Sequence, residues 1–64
     1  MLDFFKKLAI KSILDKAEEL HKTGLSVEQI AGKFWDKPKV YEGLNALGIR
    51  YNELVKMIKD KVKE

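Results

Sequence analysis

The chain of 64 residues has no cysteine, so neither disulfide staples nor thiolate metal ligands are open to it. Its single proline, Pro38, leaves long stretches free to be helical, and its four glycines, at 24, 32, 43 and 48, form no phosphate-cradling loop. One histidine, His21, stands without a second ligand at metal-binding spacing, so no metal or other cofactor is expected. No apolar run approaches the roughly 20 residues of a membrane span. Asp3, Lys6, Lys7 and Lys11 interrupt what would be the apolar region of a signal peptide. Nor is there an excess of one charge: residues 1–22, 23–50 and 51–64 each net +1, giving +3 in all. Any basic surface must therefore be assembled in three dimensions. The expectation is a non-enzymatic cytoplasmic protein with no evident small-molecule substrate. No serine has a plausible histidine partner, and the carboxylates are interspersed with lysines.

What is present is helical punctuation. Ser26 and Gln29 have the spacing of a capping box, and Leu25 with Ile30 supplies the matching hydrophobic staple. A helix is predicted to start at Val27 and run to about Phe34, with Ile30, Ala31 and Phe34 on its buried face. A third helix starts near Pro38, capped by Asp36 or Lys37, and runs to Leu47 with Val40, Tyr41, Leu44 and Leu47 inward. Before them, Asp3 to Lys22 carries Leu2, Phe5, Ala9, Ile10, Ile13, Ala17 and Leu20 on one broad stripe. Gly24 stops that helix, with Leu25 closing on Leu20. Gly48 and Ile49 repeat the stop, Ile49 closing on Leu44. Asn52 is the expected cap of a fourth helix lined by Tyr51, Leu54, Val55, Ile58 and Val62. The two stops suggest an echo at an offset of twenty-four residues, for instance Leu20, Gly24, Ile30 and Phe34 against Leu44, Gly48, Leu54 and Ile58.

The fold class that follows is all-α: one domain over residues 1–64, a small bundle of four helices with a helix-turn-helix-like centre. The predicted core is Phe5, Ile13, Ala17, Leu20, Ile30, Phe34, Val40, Leu44, Leu47, Leu54, Val55 and Ile58. Phe4 and Leu8 form a second apolar patch opposite the main stripe. With Trp35 they are candidate protein-interface residues, and a homodimer through the first or last helix is expected to cover them.

Residues Val27 to Ala46 resemble the helix-turn-helix of small repressors and of resolvase or invertase DNA-binding domains. The resemblance covers about a third of the chain, on Ile30, Ala31, Phe34, Tyr41 and Leu44. It departs at the turn, where Trp35 stands for the usual glycine and Asp36 for the usual apolar residue. The resemblance implies a transcriptional or replication regulator that binds double-stranded DNA. Lys37, Lys39, Glu42 and Asn45 on the third helix would then face the major groove, with Lys33 and Arg50 on phosphate. A competing resemblance lies in Leu44-Asn45-Ala46-Leu47-Gly48-Ile49. It is similar to the loop of ubiquitin-associated three-helix modules, which implies a protein-binding patch at Leu47, Gly48 and Ile49. A structural homo-oligomer without DNA binding is a further alternative.

Overall fold

The computed structural model describes residues 2–63, with side chains from Phe4 onward. Its four helices are α1 (Leu2–Lys22), α2 (Val27–Trp35), α3 (Pro38–Ala46) and α4 (Tyr51–Val62), and there is no strand among the described residues. The all-α small bundle is thus the architecture. Helix α2 begins as its cap dictates. The Gln29 amide donates to Ser26 Oγ at 3.2 Å, and the Ser26 amide donates to Gln29 Oε1 at 2.9 Å. Two amides that a helix start leaves unpartnered are thereby satisfied reciprocally.

Helix α3 ends in a full Schellman closure. Gly48 adopts φ +76°, its amide donates to the Asn45 carbonyl at 3.0 Å, and the Ile49 amide reaches the Leu44 carbonyl at 2.9 Å. Helix α1 stops at Gly24, φ +103°, whose amide donates to the His21 carbonyl at 3.0 Å. The Leu20 carbonyl accepts from both the amide and the hydroxyl of Thr23, at 3.1 and 2.6 Å. The echo is visible in the fold: Ser26 and Arg50 are the N-caps of α2 and α4, twenty-four residues apart. Ile30 matches Leu54 and Phe34 matches Ile58, all four buried.

The core consists of Ala17, Val27, Ile30, Ala31, Phe34, Leu44, Ile49, Leu54 and Ile58, with Ile10, Ile13, Leu14, Leu20, Val40, Leu47 and Val55 packed around it. Helix α4 packs on α1 and α2, whereas α3 packs on α2 alone. That arrangement explains where the predicted core fails. Phe5 is 64% exposed, and every side chain from Phe4 to Ala9 faces solvent. With 21 residues, α1 is about 31 Å long at roughly 1.5 Å per residue, while its partners have only 9 to 12. The bundle covers α1 only from Ile10 onward. Leu2, placed on the same stripe, has its side chain outside the described residues. Tyr41 is exposed because α3, held from one side, buries a stripe centred on Leu44. Tyr51 is exposed on α4 in the same way. Arg50, in extended conformation, is the N-cap of α4, so Asn52 lies inside the first turn instead of capping it. Lys37 caps α3 without a side-chain hydrogen bond.

Candidate nucleic-acid interface

The junction between α2 and α3 is only Asp36 and Lys37. Asp36 continues the right-handed region at φ −78°, ψ −12°, and its amide donates to the Gly32 carbonyl at 3.0 Å. Lys37 turns to extended backbone, φ −88°, ψ 117°, and its amide donates to the Phe34 carbonyl at 3.2 Å. Neither residue has positive φ, so this turn has no need of glycine. The departures from the helix-turn-helix pattern thus have a physical account. Trp35 remains in α2 and turns its half-buried ring between Tyr41 at 4.9 Å and Tyr51 at 5.7 Å, both edge to face. These three rings tie the turn, α3 and the start of α4 together.

The five basic or polar candidates are all exposed, but they do not share one face. Lys39 lies on the side of α3 opposite Leu44, together with Glu42 and Ala46 by helical spacing. Asn45 follows Tyr41 by one turn on the flank of α3. Arg50 immediately precedes α4, beside Tyr51 in sequence. Lys33 and Lys37 line an open cleft of about 350 Å³ whose remaining walls are Lys16, Leu20, Phe34 and Asp36. Lys16 is the contribution that sequence reasoning missed. It comes from α1, and no local signal relates it to Lys33.

Charge pairing engages Lys11, Lys16 and Lys61, and leaves Lys6, Lys7, Lys22, Lys56, Lys59 and Lys63 outside the described ion pairs as well as the cations of this side. Asp15 accepts from Lys11 at 3.2 Å and from Lys61 of α4 at 3.4 Å, and Lys16 stands 3.8 Å from Glu19. The Lys11 hydrogen bond, reinforced by Lys61, holds the Asp15 carboxyl below its ordinary value, against a smaller opposing effect of desolvation. By contrast, Lys33, Lys37, Lys39 and Arg50 take part in none of the ion pairs among the described residues. Residues 33–50 carry these four cations against Asp36 and Glu42.

The competing loop fares differently. Ile49 is only 6% exposed and belongs to the core, and Leu47 is half-buried. Gly48 serves as the helix stop. Trp35 presents only part of its ring, whereas Phe4 and Leu8 are open at 63% and 48%. No described helix is long and apolar enough to cross a membrane.

Comparison of the chain with protein-family models, with curated proteins and with solved structures found no match.

Proposed function

We propose that the protein binds double-stranded DNA and acts as a small regulator of transcription or replication, with α3 in the major groove. The observation that carries this reading is the set of uncommitted cations around the α2–α3 turn: Lys33, Lys37, Lys39 and Arg50, all exposed and outside the described ion pairs. A cation already held by a carboxylate must break that contact to neutralise phosphate. These need not. On this reading Lys39 and Asn45 approach base edges, an asparagine being able to pair with adenine through two hydrogen bonds. Lys33, Lys37 and Arg50 fix the helix against the phosphates. Gly43 and Ala46 keep the approach of α3 free of bulk.

A helix of nine residues reaches only a few base pairs. Two copies on adjacent half-sites, each supplying one α3, would double the contacts, which makes a homodimer on DNA part of the proposal. The test is an NMR titration of the labelled chain with a mixed pool of short duplexes at low salt. Amide shifts clustered between residues 33 and 50, fading as salt is raised, are the expected result. An unchanged spectrum at low salt, or shifts confined to α1 and α4, would refute it.

A further inference from the structure

The N-terminal two turns of α1 are the part of the described molecule that packing leaves uncovered. Phe4 and Phe5 are 63% and 64% exposed, Leu8 is 48% exposed, and the two phenyl rings touch only edge to face, 5.8 Å apart. By helical spacing Phe4 and Leu8 lie opposite the stripe of Ile13 and Ala17 that enters the core, while Phe5 lies on that stripe but beyond the helices that cover it, so none of the three packs on the bundle. Together they present roughly 400 Å² of apolar surface, since a fully buried aromatic ring accounts for about 150–250 Å². A patch of that size is in the range of the largest apolar patch on a protein surface, which is often a binding site.

We infer that this end of α1 docks on an anionic lipid surface, with Phe4, Phe5 and Leu8 entering the boundary between headgroups and acyl chains. Two observations select that occupant over a second copy of the chain. The first is charge. Lys6 and Lys7 flank the patch, with Lys11 one turn on already held by Asp15, and Asp3 is the only acid in the first fourteen residues. A twofold contact centred here would bring the same lysines against one another, whereas anionic headgroups attract them. Of the acids farther along α1, Asp15 is held by Lys11 and Lys61, Glu19 lies near Lys16, and Glu18 is ten residues beyond Leu8. The second is area. The patch is about half of the roughly 800 Å² per partner that a specific dimer buries. An amphipathic helix end needs no such area, because lipid adapts to its shape and basic residues add attraction.

The inference does not rest on the DNA reading, whose residues lie at 33–50. Its test is co-sedimentation of the full chain with large unilamellar vesicles, either phosphatidylglycerol and phosphatidylcholine in equal parts or phosphatidylcholine alone. Binding to the anionic vesicles only is expected. The Phe4→Ser, Phe5→Ser double variant should lose it at least tenfold with an unchanged thermal midpoint, because neither ring supports the core. A Lys33→Ala, Lys37→Ala variant should retain it. Three results would overturn the inference: no binding of the parent chain at low salt, binding that survives loss of both rings, or binding abolished by the lysine variant. A dimer in lipid-free sedimentation that the double serine variant dissociates would overturn it too, assigning the patch to a second copy.

Discussion

Helix α3 is anchored through very little, and Leu44→Ala is the substitution that measures how much depends on that anchor. Leu44 is 1% exposed and is the one fully buried side chain of its helix; Val40 and Leu47 contribute partly buried flanks. The substitution removes three carbons from the core, about 2–2.5 kcal/mol of transfer free energy at roughly 0.8 kcal/mol per methylene. Incomplete collapse of the surrounding core adds a cavity contribution, so the total falls within about 2–5 kcal/mol. A domain of this length has only about 3–10 kcal/mol to lose. At about 4–8 °C per kcal/mol, the thermal midpoint should drop by at least about 8 °C. Thermal unfolding by circular dichroism reads this directly, with Leu8→Ala as the control whose midpoint should barely move. Hydrogen exchange adds the local prediction. Because α3 packs on α2 alone, its amides should open at lower free energy than those of Leu54 to Ile58 in α4, and Leu44→Ala should widen the gap. An unchanged midpoint in Leu44→Ala, or equal protection of α3 and α4 in the parent chain, would refute this account of the packing.

The two glycines of α3 and its stop should respond in opposite directions. Nothing lies within 4 Å of a Cβ added at either Gly43 or Gly48. Gly43→Ala should therefore stabilise by about 0.5–1 kcal/mol through helix propensity. Gly48→Ala should cost about 1–2 kcal/mol for its left-handed backbone alone; paired denaturation curves decide the signs. If Lys33, Lys37 and Arg50 of each copy neutralise phosphate, duplex affinity should fall with a slope of about −2.7 per copy in log–log salt plots, and Lys37→Ala should reduce it by about 0.9. Fluorescence anisotropy at several salt concentrations reads both. For Asp15, whose folded pKa lies below its unfolded value, stability is present above the ordinary value near 3.8 and is lost as pH falls through the lower folded value. Asp15→Asn should flatten that part of the acid-denaturation profile, and an unchanged profile would show that the Lys11 and Lys61 contacts contribute nothing.

What could be read from the sequence is what lies within a turn or two of itself. Ser26 and Gln29 declare the start of α2, Pro38 opens α3, and Gly24 and Gly48 end their helices, because each feature satisfies or redirects backbone groups only a few residues away. Periodicity places Ile30, Phe34, Leu44, Leu54 and Ile58 correctly, since a stripe at helical spacing must be buried somewhere. The same rule puts Phe5 in the core and Ala9 on its stripe, and there it fails for lack of a partner. A helical wheel gives the direction of a side chain but not how far the neighbouring helices extend beside it. Tyr41 and Tyr51 fail for a related reason: each lies on an inward stripe by spacing, yet Trp35 draws both rings into a surface cluster. The Lys16 wall of the cleft required α1 and α2 to be placed side by side.

Charge is where sequence and structure differ most usefully. Counted along the chain, the three thirds are electrically alike, each with one net positive charge. In the fold they are not alike, because pairing is unequal. Asp15 takes up Lys11 and Lys61, joining α1 to α4, and Glu19 engages Lys16. The ion pairs among the described residues therefore sit on the α1–α4 side. They are exposed and contribute little stability each, but they fix which cations already have a carboxylate beside them. The four around the α2–α3 turn do not, and neither do Lys6, Lys7, Lys22, Lys56, Lys59 and Lys63; the four are set apart by their place beside α3. An anion approaching the turn meets Lys33 and Lys37 at the cleft, with Lys39 and Arg50 on neighbouring faces, and it meets them next to the weakly anchored helix. Of the predictions above, the salt slope and its Lys37→Ala decrement bear most directly on this asymmetry. Replacing Lys63, on the distant end of α4, should leave the slope unchanged, and an equal decrement from both lysines would mean attraction to net charge alone, without a defined interface.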